Sequence, residues 1–384
     1  MTHRLVRLVA GRTQAAIYSE LDLELSWSED QLPQVQRTKH VHGLHPYLGK
    51  FIPQLVEVFL RRYFKAEDCV HDPFVGSGTT LVEANAYGAH AIGCDISAFN
   101  CLLTRVKTTA YALGSLEMTL RATYEVARKE VETVDADEAS DWLRAWYSPN
   151  ALRELLAYRE AANRLDDSTR DVAHIILSRS ARSARLTTHF DLDFPRSPVR
   201  EPYYCHKHRR TCAPVEEADK FLRRYTADAV RRIRDFAAAR TSAETHVVHG
   251  DSQSVCLPIK PTGLITSPPY PGLIDYHEQH RYSYELLRLK DRSADEIGPA
   301  VSGTGRSALR SYQEAMIAVF RNARKQMERG SVFVIVVNDS RDLYPEILEC
   351  SGVTIEDVLT RHVNRRTGRR SGEFFESVIV ARTT

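Results

Sequence analysis

The chain lacks any apolar run long enough to cross a bilayer, and its N-terminus has no apolar h-region. Neither a helical membrane span nor a secretory leader is therefore expected. A charge excess of either sign is also missing. The 52 Lys and Arg against 50 Asp and Glu leave a formal net charge of +2, so any nucleic-acid site would have to come from local basic patches. Cysteine is sparse and odd in number. The seven, at positions 69, 94, 101, 205, 212, 256 and 350, lie mostly in apolar surroundings and predict reduced, buried thiols in a cytoplasmic protein rather than a disulfide framework. There is no internal repeat, no low-complexity tract and no Gly-Lys-Ser/Thr, and the last absence excludes a P-loop. What is present, 43% apolar and 27% charged residues over 384 positions, predicts a soluble globular protein of one large or two ordinary domains.

The first 41 residues are mixed and polar with little periodicity, and read as an N-terminal arm. Apolar positions at helical spacing predict a helix over 51–64. A short strand over 69–74 then runs into a glycine turn at 76–80. A helix ending at Gly88 follows, and then a second strand over 91–95. This βαβ unit implies parallel strands and an α/β, doubly wound, Rossmann-like sheet. From 112 to 240 the pattern changes to long helical stretches dense in Arg and Ala, before short buried strands return at 247–251 and 263–266. Helices are expected around 276–289 and 310–328, with two last strands at 331–337 and 376–380 flanking a basic loop over 361–370. The economical division is a sheet domain over 42–111 and 241–384, interrupted by a large helical insertion over 112–240.

Two loops carry chemistry. In the first, a strand, a glycine turn (Gly76 and Gly78) and a helix N-terminus make a site for the polar part of a nucleotide-like ligand. Asp95 stands 19 residues after Gly76, where an acid is the usual partner of ribose hydroxyls. No third glycine follows Gly78 at the dinucleotide spacing, so adenosine without a pyrophosphate fits better. In the second loop, Ser267-Pro268-Pro269-Tyr270 follows an apolar strand. Two prolines remove two N–H donors and fix φ, leaving carbonyl oxygens and an aromatic ring on a stiff loop. Such a loop suits a flat, amino-bearing group such as a nucleobase.

Taken together, DPFVGSGTT (72–80), GCD (93–95), GDS (250–252) and TSPPY (266–270) make the chain resemble the amino-methyltransferases of DNA. These move a methyl group from S-adenosylmethionine to cytosine N4 or adenine N6. The segment HPYLGKFIPQL (45–55) is similar to the family element that closes over the methionine part of the cofactor. The resemblance covers roughly 42–100 and 246–382. It implies that Asp72, Phe74, Gly76, Ser77, Gly78 and Thr79 form the cofactor loop, with Asp95 on the ribose and Asp251 near the adenine. Pro46, Tyr47, Lys50 and Phe51 would lie at the methionine end, and Ser267, Pro268, Pro269 and Tyr270 would hold the target base. A serine opening that tetrapeptide goes mostly with cytosine N4, an Asp or Asn more often with adenine. The implied substrate is double-stranded DNA with the target base flipped out, in a restriction–modification or orphan system. A cognate restriction endonuclease would act separately. The alternatives are an adenine-N6 or RNA enzyme with the same loop, or a catalytically silent DNA-binding subunit.

About 150 residues separate Asp95 from Asp251, more than the usual family order has there, and the helical insertion is the candidate for target recognition. Its Arg179, Arg182, Arg185, Arg196, Arg209 and Arg210 are spaced by small residues and loop formers, a pattern suited to phosphates and base edges. Arg365, Arg366, Arg369 and Arg370 form a second patch suited to the DNA backbone. Cys205, His206, His208 and Cys212 invite a zinc reading. Cys-x₂-His-x₃-Cys is not a usual closed spacing, however, and no second Cys/His pair lies nearby, so no metal is expected. His277 and His280, at i,i+3, are read as packing or hydrogen-bonding residues, with DNA contact as the alternative.

Overall fold

Each short apolar run becomes a strand whose two faces meet helices. In the computed structural model, which describes residues 25–28, 30–49, 52–189, 191–192, 195–363 and 374–384, nine strands form. They are β1 (Cys69–Asp72), β2 (His90–Asp95), β3 (Tyr203–Cys205), β4 (Arg210–Cys212), β5 (Thr245–His249), β6 (Gly263–Thr266), β7 (Val332–Val337), β8 (Val353–His362) and β9 (Phe375–Thr383). Seven of them make one sheet in the order β5-β2-β1-β6-β7-β9-β8, while β3 and β4 make a separate hairpin. The pairs β5–β2, β2–β1, β1–β6 and β6–β7 are parallel, and β9 runs antiparallel to β7 and β8. This is the doubly wound α/β sheet the sequence predicts, closed at one edge by an antiparallel pair.

Burial explains the strand assignments. Along β7, Val332, Val334 and Val336 enter one apolar cluster, and Phe333, Ile335 and Val337 enter another on the opposite face. The helix predicted over 51–64 runs Pro53–Tyr63, with proline in its first turn, where a missing N–H costs nothing. The helix after the glycine turn is Thr79–Tyr87, and it stops at Gly88 in the left-handed conformation (φ +93°). Several elements lie outside the sequence reading, among them the β3–β4 hairpin, β8 and the helix before β8. β8 starts at Val353 and runs into the beginning of the predicted basic loop, and a helix, Tyr344–Ser351, precedes it. β8 is an edge strand whose exposed Thr354 and Glu356 dilute its apolar pattern.

Among the described residues between β2 and β5 lie six α-helices: Ala98–Thr108, Leu113–Glu130, Asp141–Trp146, Pro149–Ala162, Asp167–Ala184 and Asp219–Ala237. Side chains cap four of them: Ser97 accepts from Asn100 N, Ser140 from Leu143 N, Ser148 from Ala151 N and Asp166 from Thr169 N. One apolar cluster runs from Phe99 and Leu103 through Leu155 and Ile176 to Tyr282, so these helices share a core with the flank of the sheet. Among the described residues, no helix is long and apolar enough to cross a membrane.

The chain leaves β1 toward β2 and β5 on one side, and reaches β6 and β7 on the other. The strand order therefore reverses between β1 and β6, which opens a crevice at their carboxyl ends.

Candidate active site

Asp72 closes β1 beneath that crevice. Its Oδ1 accepts from Thr266 Oγ1 at 2.6 Å and from Phe74 N at 3.1 Å, and its Oδ2 accepts from Thr80 Oγ1 at 2.6 Å. Burial outweighs these donors and pushes its pKa up to about 6. Asp72 thus ties β1 to the end of β6 and to the helix Thr79–Tyr87, and it does not line the crevice. The resemblance places it on the cofactor; the structure uses it as a strut below.

The glycine turn above it needs glycine for two reasons. Gly76 (φ +48°) and Gly78 (φ +78°) are left-handed, and a Cβ on Gly78 would come within 2.8 Å of Thr104 Oγ1. A Cβ on Gly76 would meet the Tyr47 hydroxyl at 3.0 Å. Beside the turn, Asp95 Oδ2 accepts from Gly76 N at 2.8 Å and Asn100 Nδ2 at 3.1 Å, and its Oδ1 accepts from Ser97 N at 2.9 Å. Burial raises the Asp95 pKa above the usual carboxylate value. Asn100 Nδ2 also donates to the Tyr47 hydroxyl at 3.1 Å, and the Tyr47 ring stacks on Tyr276 and His280 at 5.9 and 5.4 Å. The loop after β5 closes the far side: Gly250 N donates to Asp95 O at 3.0 Å, and Ser252 Oγ donates to Pro73 O at 2.6 Å.

These contacts leave one cleft, lined by both predicted loops. Of the predicted residues, Tyr47, Phe74, Gly76, Ser77, Thr79, Asp95, Asp251, Ser267 and Pro269 line it. Pro46, Gly78, Pro268 and Tyr270 are not among its lining residues, and Lys50 and Phe51 lie outside the described residues. The lining also includes Ser97, Asn100, Tyr276, Asp295 and Glu296, which the motifs do not mark. Glu296 is fixed from behind: its Oε1 accepts from His277 N at 2.9 Å and from the His277 ring Nδ1, while His277 Nε2 accepts from Arg292 N at 3.3 Å. Asp95, Asp251, Asp295 and Glu296 face the cleft, and among the described lining residues there is no lysine or arginine.

The proline loop is held from its outer side. The Tyr312 hydroxyl donates to the Pro269 carbonyl at 3.0 Å, whereas no described residue donates to the Pro268 carbonyl. Tyr270 donates its hydroxyl to Glu376 Oε1 at 3.0 Å, and Glu376 Oε2 accepts from Arg361 at 3.0 Å.

Several charged residues fall elsewhere. Arg179 lies over the Tyr225 ring (4.2 Å) and donates to Asp228 at 2.5 Å. Arg185 is buried, donates to the Leu192 carbonyl at 2.7 Å and lies over Tyr282 (4.6 Å). The expectation that these two face DNA is corrected: both are engaged in packing. Arg182 is half-buried beside them, whereas Arg196, Arg209 and Arg210 are exposed. The patch at Arg365, Arg366, Arg369 and Arg370 lies outside the described residues. His277 and His280 are buried, and burial lowers the His280 pKa to about 3. The Cys205–Cys212 segment meets a further possible ligand from outside it. His189, 16 positions before Cys205, brings its ring to Cys205, His208 and Cys212.

A mostly parallel sheet with a left-handed glycine turn and an acid-lined cleft at its switch point defines a nucleotide-type cofactor site, with Ser267 and Pro269 of the proline loop in its lining. Comparisons with known proteins give that class a family. A family model described as DNA methylase matches residues 16–105. The chain is 36% identical to the Type II methyltransferase M.MjaII of Methanocaldococcus jannaschii over 443 aligned positions, covering 94% of this chain and 84% of that protein. It is 37% identical to the Type II methyltransferase M.MvaI of Kocuria varians over 90 residues, 21% of this chain and 20% of that relative. The rRNA methyltransferase aviRa of Streptomyces viridochromogenes superposes with a TM-score of 0.36 at 12% identity, covering 88% of each chain; a likeness that loose says nothing of substrate. The chain belongs to the N4/N6 amino-methyltransferase family of DNA, whose cofactor is S-adenosylmethionine.

Proposed function

We propose that this enzyme methylates the exocyclic N4 of a cytosine flipped out of double-stranded DNA. The observation that carries the reading is the single cleft whose walls are the glycine turn on one side and Ser267 and Pro269 on the other. A donor held on the first wall faces an acceptor amine on the second, and positioning of that kind supplies much of the rate in methyl transfer.

The residues fit S-adenosylmethionine. Asp95 and Asp251, which meet only N–H donors among the described residues, suit a ligand bearing sulfonium and ammonium charges. Asn100 Oδ1 is buried with no partner among the described residues, an acceptor open to a donor beside Asp95. Asp95 would take the ribose hydroxyls, Asp251 the adenine end and Tyr47 the methionine end. Bound there, the cofactor supplies a methyl group already activated as a sulfonium.

The protein's part is to make a poor nucleophile better. The lone pair of an exocyclic amine is delocalised into its ring. Hydrogen bonds from its N–H groups to the Ser267 hydroxyl and the Pro268 carbonyl favour a more tetrahedral nitrogen. Pro268 is suited to this because Tyr312 takes the neighbouring Pro269 carbonyl instead. Tyr270, its hydroxyl held by Glu376, offers its ring for stacking. Ser267 in place of an acid favours cytosine over adenine. The helical region 112–240 and the exposed Arg196, Arg209 and Arg210 are the proposed target-recognition side, with Arg366 and Arg369 on the DNA backbone. A type II methyltransferase of this kind works in the cytoplasm on the host's DNA, with any cognate endonuclease a separate protein.

The test is to digest DNA from cells expressing the protein and quantify modified nucleosides. N4-methylcytosine that disappears with Ser267→Ala is expected; N6-methyladenine alone would overturn the cytosine assignment.

A further inference from the structure

We propose that His189, Cys205, His208 and Cys212 bind one structural zinc ion. The four side chains offer two imidazole nitrogens and two sulfurs that all lie within 4.8 Å of one another. Cys205 Sγ is 3.6 Å from His189 Nδ1 and 3.7 Å from His208 Nδ1, and Cys212 Sγ is 3.5 Å from the same His208 nitrogen. Zinc bonds of ~2.3 Å to sulfur and ~2.0–2.1 Å to nitrogen, at tetrahedral angles, put ligand S and N atoms about 3.5–3.6 Å apart. The observed spacings are those of ligands around a shared centre.

Thiol–imidazole hydrogen bonds alone do not account for the set. A neutral imidazole presents one lone pair at Nδ1, yet two sulfurs converge on that atom of His208. Cys205 in turn faces two ring nitrogens at ligand spacing. A cation at the centre satisfies all four groups at once. Tyr203 adds an outer contact: its hydroxyl lies 2.9 Å from His189 Nδ1 and accepts from His189 N at 3.1 Å. Two thiolate and two imidazole ligands select zinc over hard, oxygen-preferring cations.

The fold gives the ion a purpose. Between the helices Asp167–Ala184 and Asp219–Ala237, the only regular structure among the described residues is the β3–β4 hairpin, with three residues in each strand. A hairpin that short is marginal by itself. Cys205 and Cys212 are its buried residues, while Tyr204, His206, Lys207, Arg209 and Arg210 point outward. The left-handed Arg209 (φ +52°) makes the turn between the strands. A zinc ion joining both strands to the upstream loop at His189 fixes how that basic tip is presented. The other cluster of possible ligands, His40, His42 and Glu83, offers no such case, because the Lys39 ammonium sits 2.9 Å from Glu83 Oε2 and repels a second cation.

The test is elemental analysis of the full chain purified without chelators. One zinc per chain is expected in the wild type and in the Cys256→Ser control, with loss of at least nine-tenths of it in Cys212→Ser and His208→Ala. Should those variants misfold, the wild type serves. Alkylation mapped by mass spectrometry should spare Cys205 and Cys212 until a chelator is added, while the exposed Cys256 and Cys350 react throughout. Wild-type protein that neither carries zinc nor takes it up would overturn the proposal. So would a Cys205–Cys212 disulfide, or full zinc retention in Cys212→Ser.

Discussion

The cleft at the carboxyl edge of the sheet and the helices between β2 and β5 are both rich in charge and deploy it differently. Around the cleft, Asp95 and Asp251 accept only from backbone and amide N–H groups, while Asp295 and Glu296 are tied to Arg292 and His277, which do not line it. In the helices the charge is matched. Asp228 accepts from Arg179, Arg231 and Arg232, and although burial pushes its pKa up, these three hold it down at about 2. Arg164 pairs with Glu130, and Arg234 with Glu117. Unmatched charge around a concavity is poised for a ligand, whereas matched charge on packed helices is part of the scaffold. Counting arginines in a sequence does not separate the two cases.

The largest effect is expected at the proline loop. Ser267→Ala should slow single-turnover methyl transfer by about 100-fold or more, on the scale of losing one preorganised hydrogen bond, while leaving cofactor affinity within about twofold. Equal losses in both would mean that the loop serves binding rather than transfer.

The strut below the cleft gives the next effect, on stability. Asp72 titrates at about 6 in the folded chain, above the ordinary carboxylate value, so the folded state binds the extra proton between about pH 4 and 6. Its contribution is most favourable at the acid end and is lost as pH rises through 6, a span worth on the order of 3 kcal/mol. The buried His71 (about 4) and His280 (about 3) act oppositely, because a depressed histidine pKa resists charging as pH falls below 6.5. The difference between wild type and Asp72→Asn therefore isolates the strut. Chemical denaturation from pH 4 to 7 should show the variant gaining relative stability as pH rises; a pH-independent difference would remove the assignment.

Asp95→Asn should weaken S-adenosylmethionine binding by about 10- to 50-fold by calorimetry, the scale of a hydrogen bond to a charged group. Unchanged affinity would place the ribose elsewhere. The smallest effects separate scaffold from surface. Arg179→Ala should cost about 1–3 kcal/mol of stability by leaving Asp228 and its neighbours short of a partner. Arg210→Ala should leave the melting temperature unchanged and reduce the salt slope of DNA binding by about one.

The sequence made the cleft legible and the helices less so, for physical reasons. Gly76, Gly78 and the proline pair are demanded by backbone conformation, which is local, so their roles are visible in a few consecutive residues. Asp95 is readable because a βαβ unit fixes its distance from the glycine turn. Glu296 stands 29 residues after Ser267 on an irregular segment, and only the His277 contact turns it toward the cleft. Asp72 sits inside a motif, yet its side chain points down to Thr80 and Thr266. Arg179 and Arg185 look like DNA contacts until Asp228 and Tyr282 are seen beside them. His189 was hidden because its partners are brought to it by a hairpin too short to read as strands.

The contrast between the two regions rests on where the cofactor sits. Ultraviolet labelling with tritiated S-adenosylmethionine, followed by peptide mapping, tests that most directly. The label is expected on peptides containing Tyr47, residues 72–79, residues 95–100 or the segment 267–276, and label recovered on the helices between 113 and 237 would contradict it.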